Sequence, residues 1–302
     1  MRLSEYINSL ISKGICYFTL DESMQALNRS EIAMRAAIRR LKHKKELAQP
    51  AKGFYVIVPP EYRILGCRPA EQFITGLMEY LNIPYYVGLL SAAQYYGAAH
   101  QRPQQFQVII SGKRRPILCG RVKIVFITKK DAARTPTQNI NISHGLLKIS
   151  TPEATARDIV IYADKCGGIE NTSTVINGLV GKIDSKKLLK LASQSKEITW
   201  VQRLGYLLEL VDEKEITEKL QKIIRTSIVH QRLLIPNNEL NLIINTFKSI
   251  NVTNTSLEKL NDVMIKNSYP DAIKINVKSF YDNLVINKKW KLIINKKLEK
   301  DE

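Results

Sequence analysis

Residues 30–58 read SEIAMRAAIRRLKHKKELAQPAKGFYVIV, and the order of patterns within them decides the N-terminal fold. Ser30 is a good N-cap for a helix running to about Lys45. At 100° per residue, Ala33, Met34, Ala37, Ile38 and Leu41 fall on one side of that helix. Glu31, Arg35, Arg39, Lys42 and His43 fall on the other. After it, Glu46–Gln49, a turn at Pro50–Gly53 and the apolar run Phe54–Val58 predict a two-stranded hairpin that ends at Pro59-Pro60.

Working outward toward the N-terminus, Asn28-Arg29-Ser30 is a tight polar turn, and Asp21–Leu27 predicts a short helix introduced by Phe18 and Thr19. Before it, Leu3, Tyr6, Ile7, Leu10 and Ile11 mark an amphipathic helix stopped at Gly14. Helix, helix, turn, helix and hairpin together make the layout of a winged helix-turn-helix. In that layout the Ser30–Lys45 helix enters a DNA major groove. Arg35 and Arg39 would reach guanine edges or phosphates, Lys42, His43 and Lys44 would touch the backbone, Lys52 would sit at the wing tip, and Arg40 would join the DNA contacts.

The charge balance agrees with an anionic partner. Forty-six Lys and Arg residues against 28 Asp and Glu give a net charge of +18, a field that attracts phosphates and releases counterions on binding. The lysines of the Ile/Asn/Lys-rich second half are equally well read as a solvated surface. No apolar run approaches the roughly 20 residues of a membrane span, and the amphipathic N-terminus is not a secretory signal, so a cytoplasmic protein is expected. Cys16, Cys67, Cys119 and Cys166 are scattered without a CxxC pair, and the four histidines are as dispersed. Neither a disulfide framework, a metal site nor a cofactor is therefore expected.

Beyond Pro59 the character changes, and the sequence predicts a domain of residues 1–62 followed by one of 63–302. The second comprises a mixed α/β part at 63–168 and a mainly helical part at 169–302, which makes the fold α+β. Pro69 begins a predicted helix, PAEQFITGLMEYL, with Phe73, Leu77 and Leu81 inward. Tyr85-Tyr86 leads into a small-residue helix over Val87–Tyr96 that Gly97 ends. Gln105–Ser111 and Arg121–Thr128 are strands joined through Lys113-Arg114-Arg115, whose three cations would project from a turn. A strand at Leu146–Ser150 passes into a helix capped by Thr151 with Pro152 at its first position. Thr174–Val180, Ser185–Ser193, Thr199–Val211 and Ile216–Ser227 predict helices with apolar stripes. Pro236–Ile250 is poorly patterned, 251–256 reads as a loop, and Lys289–Asn295 is strand-like before a charged tail.

The blocks Tyr85-Tyr86-Val87, Leu90-Ser91-Ala92-Ala93, Tyr96-Gly97, His100-Gln101 and Pro103-Gln104, then Arg121, Ile124 and Phe126, then Ser150–Asp158, resemble the AbiEi family of antitoxins. Gly53 and Tyr55 at the hairpin fit as well, and the resemblance spans roughly residues 15–210. It implies the antitoxin of a bacterial type IV toxin–antitoxin pair. The winged helix would bind inverted repeats in the protein's own promoter as a repressor. The following domain would counteract a nucleotidyltransferase-like toxin without forming a stable complex. His100, Gln101, Arg102, Lys113, Arg114 and Arg115 are the exposed candidates for that second task.

Two other classes compete. An atypical kinase acting on the toxin could use Lys113, Arg114, Arg115, His100 and Asp158 around a nucleotide. The sequence has no Walker loop, no GxGxxG and no carboxylate pair at metal-binding spacing, so no catalytic residue is assigned. Alternatively, Tyr85, Tyr86, Tyr95 and Tyr96 near the cationic turn could stack on the bases of an RNA or tRNA.

Overall fold

The computed structural model describes residues 2–99, 103–143, 145–226, 232–233, 285–294 and 298. They belong to two compact units, Met1–Cys166 with Gly181–Asp184, and Gly167–Val180 with Ser185–Glu302. Both mix helices with strands, giving an α+β protein.

The first unit opens with helix α1 (Leu3–Ser12), strand β1 (Tyr17–Thr19), α2 (Leu20–Leu27), α3 (Glu31–His43), β2 (Leu47–Ala51) and β3 (Phe54–Ile57). This order is compatible with a winged helix-turn-helix. Local chemistry fixes its joints. Thr19 and Glu22 form a reciprocal capping box at the start of α2, Asn28 leaves α2 in the left-handed region at φ 47°, and the Ser30 hydroxyl accepts the Ala33 amide to begin α3. Tyr17–Thr19 is more than a lead into α2: it pairs antiparallel with β3, so the hairpin is part of a three-stranded sheet ordered β1-β3-β2. Pro50 lies inside β2, not in the turn. It sits where the register slips between Ala48 and Ala51, a bulge that needs no N–H from it, and the turn itself contracts to Lys52-Gly53.

β3 explains why the sequence is apolar without interruption from Phe54 to Val58. Tyr55 and Ile57 face a core formed with Leu3, Ile7, Leu10, Phe18, Met34 and Ile38. Phe54, Val56 and Val58 face the opposite way, into a second core with Phe73, Ile74, Leu77, Val87, Val108, Ile124 and Ile149. A strand covered on both sides shows no polar alternation.

That second core belongs to a six-stranded sheet ordered β6-β7-β5-β4-β9-β8, built from β4 (Tyr85–Val87), β5 (Phe106–Ile110), β6 (Ile117–Cys119), β7 (Val122–Thr128), β8 (Thr137–Ile142) and β9 (Gly145–Ser150). The sequence expectation needs three corrections here. The basic turn does not join β5 directly to β7: those two run parallel, and the turn leads into β6, which pairs antiparallel with β7 at the sheet edge. Tyr85–Val87 is a strand, and the helix after it shortens to α5 (Leu89–Ala93) with a 3-10 turn at Gln94–Tyr96 before Gly97. The helix expected from Pro69 divides into a 3-10 turn (Ala70–Gln72) and α4 (Ile74–Tyr80). The physical reason is at Gln72. Its carbonyl accepts the Cys16 thiol at 3.0 Å, and its side-chain oxygen accepts the buried Arg68 guanidinium, which also donates to the Ile57 carbonyl. The backbone therefore turns at Phe73, which has φ −133° and is wholly buried.

Helix α6 (Pro152–Ile161) begins as expected, with Thr151 accepting the Ala154 amide and Pro152 at the first position. In the second unit, α7 (Gly168–Leu179), α8 (Ser185–Ser193), α9 (Thr199–Leu210) and α10 (Lys214–Thr226) follow, with short strands β10 (Arg232–Leu233), β11 (Val285–Asn287) and β12 (Leu292–Ile294). Trp290 packs on α9 at Gly205, where an added Cβ would meet the indole at 2.1 Å; Gln202 of the same helix donates to the Trp290 carbonyl at 3.1 Å. The expectations for 236–256 and for the tail beyond Leu298 lie outside the described residues. No helix among the described residues is long and apolar enough to cross a membrane.

Candidate nucleic-acid interface and the buried charged centre

Only Met34 and Ile38 of α3 are fully buried, and they anchor the helix on the first core. The remaining turns show two stripes. Along one, Ala33, Ala37, Arg40 and Lys44 join Arg2, Leu3, Leu27, Arg29, Met34 and Leu41 around a groove of about 420 Å³, which has cations on its rim and no carboxylate in its lining. Along the other lie Ile32, Arg35, Arg39 and His43.

The sequence-predicted contact residues are not equally available. Arg39, Arg40, His43, Lys44 and Lys52 are exposed, with no side-chain hydrogen bond or ion pair among the described residues. Arg35 is held by Glu31 at 2.6 Å, one turn back. Lys42 donates to the Gln49 side chain of β2 at 2.5 Å. Both are surface contacts of the kind worth at most about 1 kcal/mol, so a phosphate can displace them. The Ser30 hydroxyl is already used as the α3 cap. Arg40, Lys42 and His43 also occupy the last turn, where positive charge is favoured by the helix dipole whatever the partner.

Two residues important to this face were missed in the sequence. Ile32 is 84% exposed in the first turn of α3, beside Arg35 and Arg39. A large apolar side chain on a polar face at the N-terminal end of such a helix is suited to contact with a thymine methyl. The available signal was an isoleucine on the charged side of the wheel. Tyr80 of α4 grips the wing: its hydroxyl donates to the Lys52 carbonyl at 2.9 Å and lies so near Gly53 that a Cβ there would meet it at 2.4 Å. Gly53 also holds φ +82°, so only glycine fits this turn comfortably. No local pattern links residues 28 positions apart.

The six-stranded sheet holds a buried charged centre that sequence reading dismissed. Asp158, which the kinase alternative would place around a nucleotide, is completely buried. It receives Lys129 Nζ at 2.6 Å, the Tyr86 hydroxyl at 2.7 Å and Arg157 Nε at 3.2 Å. Thr135 Oγ1 completes the cluster, accepting Lys129 at 2.9 Å and Arg157 Nη2 at 3.2 Å. Burial pulls the Lys129 ammonium below its ordinary pKa, with Asp158 opposing; burial and then the Asp158 charge push the Tyr86 phenol up. Tyr86, Lys129, Thr135 and Asp158 come from β4, the end of β7, the segment before β8, and α6. Two cations on one carboxylate, closed off from solvent, make a bolt across the sheet.

The tyrosines offered as base-stacking surfaces are mostly occupied. Tyr85 shares a 2.8 Å hydrogen bond with Thr75, Tyr86 is in the charged centre, and the Tyr96 phenol donates to the Ser150 carbonyl. On the basic turn, Lys113 and Arg115 are exposed, but Arg114 does not project as expected: it folds over the Phe126 ring, 5.5 Å from its centroid. That leaves two cations pointing outward. His100, Gln101 and Arg102 lie outside the described residues. Among the described residues, no group of three or more His, Cys, Asp or Glu is arranged to hold a metal.

Comparison with known proteins places this geometry. No curated protein matches the chain in sequence. Among solved structures, the RV2827C protein from Mycobacterium tuberculosis is similar over 97% of this chain and 90% of its own, at a TM-score of 0.61 and 16% identity, which speaks for a shared fold. An antigenic nucleotidyltransferase-like protein from Paracoccidioides brasiliensis aligns with 50% of this chain and 90% of its own at 14% identity, with a TM-score of 0.33, too low to mean a common fold. Residues 86–210 match the family model of the AbiEi antitoxin C-terminal domain, a segment that starts at Tyr86 and includes Lys129, Thr135, Arg157 and Asp158. Over that segment, residues 86–210, the chain is similar to the AbiEi antitoxins.

Proposed function

We propose that the protein is a type IV antitoxin that also represses its own promoter. In this reading the N-terminal helices and three-stranded sheet act as a winged helix that binds inverted repeats. The domain after it counteracts a nucleotidyltransferase-like toxin. The observation that supports the DNA-binding half most directly is the exposed surface of α3, where Arg39 and His43 in the stripe of Ile32, and Arg40 and Lys44 in the other stripe, stand unpaired among the described residues. The net charge of +18 supplies the long-range attraction.

An inverted repeat presents two half-sites, so two copies of the chain bind one operator. The wing contributes through Lys52, whose backbone Tyr80 holds in place. For neutralisation, Lys113 and Arg115 are the exposed candidates on the basic turn, together with the sequence-assigned His100, Gln101 and Arg102. The family match supports the antitoxin half of the reading. The test is co-expression with a nucleotidyltransferase-like toxin encoded in the same operon. Growth should be restored, while the two proteins elute separately in size exclusion. Continued growth arrest with well-expressed, folded protein would overturn the reading.

A further inference from the structure

We propose that Cys67 and Cys119 form a redox pair, which a peroxide oxidises to an intramolecular disulfide. All four cysteines are free and buried, and three of them, Cys16, Cys67 and Cys119, line the same core. Two of these three are brought together by the backbone itself. Gly66 and Gly120, each next to one of the cysteines, both take positive φ, at 70° and 59°. A Cβ built on Gly120 would lie 2.2 Å from the Leu65 carbonyl oxygen and 2.9 Å from the Gly66 Cα. The Arg121 amide donates to that same Leu65 carbonyl at 2.7 Å. Two segments distant in sequence thus run against each other at glycine contact distance, and the next side chain on each is a thiol.

The two thiols act on each other directly, a hydrogen bond shared between them being the largest influence on the ionisation of each. They are also unequal. That hydrogen bond, the Gln49 backbone N–H and the charge of Lys42 hold the Cys119 thiol below its ordinary pKa, against its burial. Cys67 is pushed up by its donation to Cys119 and by burial. Cys16 is committed elsewhere, donating to the Gln72 carbonyl. In the proposed pair Cys119 is the attacking sulfur and Cys67, brought beside it by the Gly66–Gly120 contact, is the resolving thiol. Cys119 sits on the edge strand β6, its own side chain turned into the core between exposed Leu118 and exposed Gly120.

The chemistry closes without a further reactant when hydrogen peroxide is the oxidant. Cys119 thiolate attacks one peroxide oxygen, the O–O bond breaks, and Cys119 becomes a sulfenic acid as hydroxide leaves. Cys67 gives its proton to the hydroxide and attacks the sulfenic sulfur. The S–S bond forms as the S–O bond breaks, and the released hydroxyl takes up a proton as water. The sum is two thiols and one peroxide converted to one disulfide and two waters. The pair lies near α3: the Lys42 charge that acts on Cys119 belongs to that helix, and Lys42 donates to the Gln49 side chain.

The test uses the full-length protein exposed to hydrogen peroxide, quenched with catalase, then alkylated with N-ethylmaleimide in denaturant. Reactive thiols should fall from four to two and return on reduction, and a non-reduced peptide map should contain Cys67 joined to Cys119. Cys67→Ser should stop at the sulfenic acid, trapped on Cys119 by dimedone, whereas Cys119→Ser should give no adduct at position 67. The wild-type peptide map stands whether or not either variant folds. Four thiols persisting after peroxide, or a disulfide that joins Cys16 or Cys166, would overturn the assignment.

Discussion

Lys129 Nζ lies 2.6 Å from Asp158 Oδ1, with side-chain exposures of 6% and 0%, in a segment that matches the AbiEi family. A buried ion pair gains little over a well-packed apolar replacement, but removing one partner strands the other in a medium that cannot solvate it.

Asp158→Asn is the more severe deletion, because it leaves both Lys129 and Arg157 without their shared carboxylate. It should destabilise the first unit by about 3–5 kcal/mol. Lys129→Met leaves Asp158 its bonds from Arg157 and Tyr86 and should cost distinctly less. Urea melts followed by far-UV circular dichroism are the appropriate measurement, since Trp200 and Trp290, the two tryptophans, both lie in the second unit. Equal and small losses for the two variants would contradict the bolt.

Tyr86 sets an alkaline limit. Its folded pKa is raised above the ordinary 10.0, chiefly by burial and then by Asp158, so below pH 10 it is protonated in both states and costs nothing. Above pH 10 the unfolded chain releases the proton while the folded one retains it, and stability falls as pH rises. Tyr96, pushed up by burial and Glu153, acts in the same direction. Absorbance at 295 nm should therefore show these phenols ionising together with unfolding. Smooth ionisation with the far-UV signal intact would contradict their burial.

Gly76→Ala tests the seam between the N-terminal sheet and α4. The new Cβ would lie 2.0 Å from the Tyr17 ring, which itself stacks on Phe54 at 5.1 Å. Overpacking of this sort costs about 1–3 kcal/mol, read from the same urea melt. Tyr17→Phe removes the hydroxyl, 2.3 Å from that Cβ, but keeps the ring carbon at 2.0 Å, so in that background most of the penalty should remain.

What the sequence revealed depended on how local the cause was. The caps at Ser30 and Thr151 and the apolar face of α3 are set by residues three or four apart, and they were readable. β4 and β6 were missed because three-residue strands are defined by neighbours: β4 joins β5 on one side and β9 on the other; β8, reading TQNINI, was missed because it is largely polar. One clue was present and went unused, namely the unbroken apolar run Phe54–Val58, which is incompatible with a wing wet on one face. Asp158 looked ordinary because its partners are Tyr86 and Lys129, distant in sequence. For the α3 surface the positions were legible, but the engagement of Arg35 by Glu31 and of Lys42 by Gln49 required the folded geometry.

The central claim is that α3 reads DNA, and the direct measurement is fluorescence anisotropy on a duplex carrying the inverted repeat from the protein's own upstream region. Wild type should bind with a log–log salt slope of about −5 per protomer if about six phosphates are neutralised. Arg39→Glu with Arg40→Glu should abolish binding while leaving the thermal midpoint nearly unchanged, since both side chains are exposed and unpaired among the described residues. Undiminished binding by that folded variant would contradict the account.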